Sequence, residues 1–174
     1  MEDDPILLKT RRFDVVRRAY TTAEGVRHER EVILHPGAVA VIPQLDDGRI
    51  CLIENYRVAV GQTLLEIPTG TREPGEDPAV TARRELREET GFEAREFRRL
   101  HEFWMSPGIF NERMHLYLAT GLTAGERDLD EGEQISNRIV TWEETLELLR
   151  SGQIEDAKTL AGLLFYERFV RTAT

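Results

Sequence analysis

Residues 70–92 read GTREPGEDPAVTARRELREETGF, and within them one Arg, four Glu and two Gly stand in a set order. Gly70 is followed after five residues by Glu76, and after seven more by Arg84-Glu85-Leu86. One residue on come Glu88-Glu89, and one further on Gly91-Phe92. Asp77 can accept from the free N–H groups of a first helical turn, and Pro78 behind it suits the first helical position. Good helix formers run to Thr90, and Gly91 supplies the left-handed stop, so the spacing predicts a short helix. At about 100° per residue, Glu85 and Glu89 lie roughly 40° apart and Glu88 about 60° to the other side of Glu85. Three carboxylates therefore crowd one sector.

Like charges at i,i+4 spacing cost a helix on the order of a few tenths of a kcal/mol per exposed pair. They also raise one another's pKa values unless something positive intervenes. A hard divalent cation resolves both problems, and Mg²⁺ favours a few carboxylates together with water and phosphate oxygens. The competing reading is a solvated acidic face with Arg84–Glu88 as an ordinary i,i+4 pair. Gly70, Glu76 and Gly91, all in register, weigh against it.

Length and composition agree with a compact soluble enzyme. A chain of 174 residues with 40% apolar content can bury one main core, with some length left for an extension. No apolar run approaches the roughly 18 residues of a membrane span. MEDDPILLKTRR is acidic first and basic later, the wrong order for a secretory signal. The single cysteine, Cys51, lies in the apolar run Ile50-Cys51-Leu52-Ile53 and reads as a buried thiol of a reducing cytoplasm. A formal charge of −9 disfavours nucleic acid and anionic membranes as partners.

The rest of the chain alternates strands and helices. Residues 11–34 predict two or three strands around the turn Thr22-Ala23-Glu24-Gly25. AVAVIPQL, the turn Asp46-Asp47-Gly48-Arg49 and ICLIENYR together read as a β-hairpin. Further strands are expected at 64–67, 97–103, 114–119 and 138–141. Thr141 and Glu144 have capping-box spacing for a helix ending near Gly152. A last amphipathic helix covers about 156–171, with Phe165, Tyr166 and Phe169 expected in the core. The expected boundary falls near His35, giving an N-terminal strand extension over 1–34 and a main domain over 35–174. No histidine pair has zinc spacing, and no Ser stands in a nucleophile elbow.

The ordered set at 70–92 resembles the Nudix box, the signature of hydrolases that cut a diphosphate linked to another group. Phe92 departs from it mildly, standing where the family usually has an aliphatic residue. Leu65-Glu66-Ile67-Pro68-Thr69-Gly70, Ser106-Pro107-Gly108 and Glu112 resemble the ADP-ribose pyrophosphatase branch, and the likeness covers about residues 35–170. The resemblance implies an α/β fold, the Nudix α/β/α sandwich with a mixed sheet and an N-terminal β-strand extension. It implies Mg²⁺-dependent hydrolysis of a nucleoside diphosphate sugar, ADP-ribose giving AMP and ribose 5-phosphate, with Mn²⁺ a possible substitute. The alternatives are GDP-mannose or dinucleoside polyphosphates as substrates, or a nucleotide-sugar sensor that binds without cutting. The intact Glu85, Glu88 and Glu89 argue against the sensor.

Carried across residue by residue, the metal ligands implied are Glu85, Glu89, Glu88 and the main-chain carbonyl of Thr69, where the family usually has Ala. Glu88 and Arg84 belong to the catalytic set, with Arg84 tying the loop to the helix. The resemblance places a water-activating Glu in the loop DLDEGEQIS, where Glu131 and Glu133 are candidates; the reading adopted makes Glu131 the base and Glu133 its partner. Arg57 matches a position touching the nucleotide or diphosphate, where a guanidinium fork suits phosphate oxygens. Glu73, Ser106, Gly108 and Glu112 match positions lining ribose and diphosphate. Glu31 matches an adenine-side residue contributed across a homodimer.

Overall fold

The computed structural model describes residues 4–129 and 132–171. Ten strands and three helices follow one another as β1 (Ile6–Lys9), β2 (Asp14–Thr21), β3 (Arg27–Leu34), β4 (Ala38–Pro43), β5 (Ile50–Arg57), β6 (Gln62–Glu66), β7 (Thr69–Thr71), α1 (Pro78–Thr90), β8 (Phe92–Trp104), β9 (Arg113–Ala124), β10 (Ile135–Val140), α2 (Trp142–Arg150) and α3 (Ala157–Phe169). They form three sheets, ordered β1-β2-β3, β10-β5-β6 and β7-β4-β9-β8. In the last, β4 and β9 run parallel while the other pairs are antiparallel, so the sheet is mixed.

The layering follows from strand alternation. Successive side chains of a strand point to opposite faces, and β4 is apolar on both. Ala38, Ala40 and Ile42 enter a core shared with β5, α2 and α3. Val39 and Val41 enter a second core, against Ala82 and Leu86 of α1. On β9, Met114, Leu116 and Leu118 join the first core, Tyr117 and Ala119 the second. Helix α3 comes close at Gly162, where an added Cβ would lie 3.1 Å from Ile67 and Leu116 side-chain atoms. The result is the expected α/β/α sandwich.

The expected hairpin is corrected. Its turn forms, with Leu45 N–H donating to Arg49 O at 2.9 Å and Gly48 at φ +85°. The strands then part into different sheets, joined only by an isolated bridge between Gln44 and Ile50 among the described residues. Both strands are buried along most of their length, and each finds its partners at other strands. Strand β1 and the three-residue β7 were not expected, and the strand expected at 97–103 is β8, which starts directly behind Gly91. Phe169 is also corrected, because it lies exposed at the end of α3 while Tyr166 is buried.

The N-terminal sheet meets the main body through the loop before β9. Ile33 N–H donates to Ile109 O at 3.0 Å, Asn111 N–H to Ile33 O at 3.2 Å, and His35 N–H to Asn111 Oδ1 at 2.7 Å. No helix among the described residues is long and apolar enough to cross a membrane.

Candidate active site

Helix α1 starts and stops as its sequence dictates. Asp77 accepts from Ala79 N–H at 2.8 Å, Pro78 opens the first turn, and Gly91 closes the helix at φ +74°. Its apolar stripe, Ala82 and Leu86, presses on Val39, Val41 and Tyr117. That contact sets the depth of each carboxylate. On a helical wheel Glu89 lies about 20° from Ala82, Glu85 about 60° and Glu88 about 120°. The exposures follow in order, 3% for Glu89 and, for the side chains, 12% for Glu85 and 23% for Glu88.

Burial favours the neutral acid. It pushes Glu85 up to about 7, with Arg84 opposing and Glu88 and Glu133 adding to the rise. It pushes Glu89 up to about 8, against a hydrogen bond from Thr69 N–H at 2.7 Å, with Glu85 and Glu133 again adding. Strand β7 runs directly alongside. A Cβ on Gly70 would fall 1.8–2.1 Å from the Glu85 carboxylate, so the glycine makes room for that group.

Arg84 organises the polar side of the helix. It donates to Glu85 Oε1 at 2.7 Å, Glu88 Oε2 at 2.9 Å, Glu76 Oε2 at 3.3 Å and Thr71 O at 3.3 Å. Burial works against its charge, but Glu76, Glu85 and Glu88 together raise its pKa. Glu76 also accepts from Glu73 N–H at 3.0 Å, fixing the turn ahead of the helix.

Among the described residues no three His, Cys, Asp or Glu side chains form a metal cage; Arg84 donates to Glu85, and Thr69 N–H to Glu89. The donor set still fits a hard cation. The buried carboxylate of Glu89 and the part-buried one of Glu85 lie against a three-residue strand, where burial outweighs the opposing charges of Arg57 and Arg84. Oxygen ligands of this kind suit Mg²⁺ or Mn²⁺.

A second charged group adjoins. Arg57, at the end of β5, donates through Nε and Nη2 to both oxygens of Glu66 at 2.7 and 2.6 Å. Glu66 is fully buried and also accepts from Lys158 Nζ, which reaches Asp156 Oδ1 at 2.8 Å. Asp156 caps α3 through Thr159 N–H at 2.9 Å, and Thr159 Oγ1 accepts from Ile67 N–H at 3.0 Å. Hydrogen bonding to Glu66 raises the pKa of Arg57, and the charge of Glu89 adds to the rise. Burial raises the pKa of Glu112, which Lys158 counteracts, and His35 Nδ1 stands 3.6 Å from Glu112. Glu66, Asp156 and Lys158 carried no expected role. Helix-capping signals at Asp156 were legible, but the ion pair spans 92 positions of sequence.

The other expected residues are scattered more widely. Glu133 lies exposed in the turn before β10, near enough for its charge to act on Glu85 and Glu89. Glu131 lies outside the described residues. Glu73 is exposed, as are Ser106 and Gly108 in the turn where Ser106 O accepts from Ile109 and Phe110 N–H. Glu31 is exposed on β3, with Arg17 of β2 at 3.4 Å.

Comparison with known proteins gives the family. The NUDIX domain family model matches residues 34–163. The ADP-ribose pyrophosphatase of Bacillus subtilis (strain 168) is 40% identical over 145 residues, covering 82% of this chain and 78% of that protein. The methanol dehydrogenase activator of Bacillus methanolicus is 41% identical with the same coverage. The solved structure "Crystal structure of ADP compounds hydrolase" superposes with a TM-score of 0.86 at 26% identity, covering 99% of this chain and 94% of that one. The chain belongs to the NUDIX family, and it is a Nudix pyrophosphatase with that family's mixed α/β fold.

Proposed function

We propose that this chain hydrolyses ADP-ribose to AMP and ribose 5-phosphate, with Mg²⁺ as its ion and Mn²⁺ a substitute, as a cytoplasmic homodimer. The single observation that supports the metal chemistry is the pair Glu85 and Glu89, set against Thr69 and Gly70 and lifted in pKa by burial. The choice of substrate is supported by the ADP-ribose pyrophosphatase likeness at 40% identity.

Glu85, Glu89, Glu88 and the carbonyl of Thr69 would hold the ion, which would supply charge neutralisation at the diphosphate and an orientation for the attacking water. Arg84 keeps Glu85 and Glu88 in place and ties them to Glu76. Arg57 pairs with diphosphate oxygens through its fork. Glu73, Ser106, Gly108 and Glu112 line the ribose and diphosphate, and Glu31 reaches the adenine across the dimer. Glu131 takes the proton of the water as its oxygen bonds to phosphorus, Glu133 orients that water, and the bridging P–O bond breaks toward the departing phosphate. The net charge of −9 supports a small-molecule substrate over nucleic acid.

The test is product analysis of ADP-ribose incubated with the purified chain and Mg²⁺, with and without EDTA. AMP and ribose 5-phosphate, lost with chelator, are expected. Turnover of GDP-mannose or a dinucleoside polyphosphate with none of ADP-ribose would keep the chemistry and overturn the substrate. A second reading, action on a partner dehydrogenase, is favoured by the 41% identity to the methanol dehydrogenase activator. Turnover that requires an added dehydrogenase would support that reading instead.

A further inference from the structure

Glu66 holds more cation than it needs. Its carboxylate is already matched by the two-pronged bond from Arg57, yet Lys158 also donates to Oε2 from the other side. Both partners are deeply placed, with side-chain exposures of 0% for Glu66 and 9% for Lys158, whereas Arg57 is 36% exposed. Asp156, which balances Lys158, sits at the start of α3, where the backbone N–H groups already draw on its charge. Two cations thus face two carboxylates, and because the Lys158 and Asp156 side chains are both largely buried, the accessible charge of the group is that of Arg57, which also feels Glu89. The bonds to Glu66 use Nε and Nη2, leaving the Nη1 edge of the guanidinium for another acceptor.

We propose that Lys158 is a positioning residue for diphosphate binding: it neutralises Glu66 from beneath, so that Arg57 is held in one orientation with its charge available to the substrate. The inference rests on the proposed role of Arg57. Lys158 itself touches no substrate, and its effect on binding passes through Arg57. The same lysine joins Glu66 to the cap of α3, so the orientation of Arg57 is referred to a helix end as well as to its own strand.

Steady-state kinetics of the full chain with ADP-ribose and Mg²⁺ tests it, at a temperature where circular dichroism shows each variant folded. Arg57→Ala should raise KM about tenfold or more, the worth of a charge-assisted hydrogen bond. Lys158→Met should raise KM in the same way with kcat within about threefold, and Lys158→Arg should restore it. Should Lys158→Met not fold, Lys158→Gln keeps a donor to Glu66 without the charge and should show the same KM rise. In the Arg57→Ala background the lysine substitution should add no further rise, because its route to the substrate is gone. A KM that climbs again by the same factor in the double variant, or a Lys158 variant with unchanged KM and a lowered melting temperature, overturns the inference alone. An unchanged KM for Arg57→Ala removes its premise and overturns the role of Arg57 with it.

Discussion

Two buried acidic groups sit side by side in this molecule and are treated in opposite ways. Glu66 accepts from Arg57 twice and from Lys158, and the lysine is answered in turn by Asp156. Glu89, buried almost as deeply, accepts from one backbone amide, and its acid form is favoured up to about pH 8. The first corner is complete as a set of side chains. The second has no cation bonded to its buried carboxylate among the described residues, and the proposed ion would complete it. Its neighbour Glu85 has only the shared Arg84. Burying carboxylates so thinly matched costs stability that a bound cation would offset, which is why the proposed ion is placed at this corner.

The contrast is broken most severely by removing charge from the incomplete corner. Glu85→Gln and Glu89→Gln should each lower kcat by about a thousandfold or more, because electrostatic stabilisation at the diphosphate is lost. Both variants should remain folded, since a neutral amide suits a buried site. Near-normal turnover by either would undo the metal assignment. Next in size is the water-activating loop. Glu131→Gln should lower kcat by roughly 10²–10⁴-fold with KM little changed; if only Glu133→Gln does so, the base is Glu133.

Gly70→Ala should cost up to about a hundredfold in kcat, the usual scale for a displacement near 1 Å. Its Cβ would land on the Glu85 carboxylate, the movable end of a side chain, so the melting temperature should hardly change. A large loss of stability with intact turnover would mean that the glycine serves the fold instead.

The smallest effect sharpens the comparison by pH. Glu85 and Glu89 bind protons more tightly folded, near 7 and 8, than at their ordinary value of 4.5. The folded state thus holds more protons than the unfolded one between those values, so their contribution is full below about pH 4.5 and is lost as pH rises through 7 to 8. In chelator the wild-type melting temperature should fall with rising pH relative to a Glu85→Gln/Glu89→Gln variant, a comparison that cancels opposing histidines such as His35. Saturating Mg²⁺ should remove the fall. Parallel pH profiles in chelator would contradict the raised values.

How far the chain announced all this depends on the range of each interaction. Helix α1 was legible end to end because Asp77, Pro78 and Gly91 act on their own turns, and the wheel angle between Glu89 and Ala82 already orders the carboxylates by depth. The turn at 46–49 was equally legible, but a turn says nothing of whether its flanking strands pair, and β4 and β5 part into separate sheets. Strand β7 exists because Gly70 meets Val39, a pairing no local signal encodes. No local signal pairs Lys158 with Glu66 either: only the fold brings them together across 92 positions.

The most direct measurement is anomalous diffraction from crystals soaked in Mn²⁺. The account predicts an anomalous peak bounded by Glu85, Glu89 and the carbonyl of Thr69, vanishing in Glu89→Gln crystals. Crystals with no peak there, from a protein whose turnover of ADP-ribose is indifferent to EDTA, would contradict it.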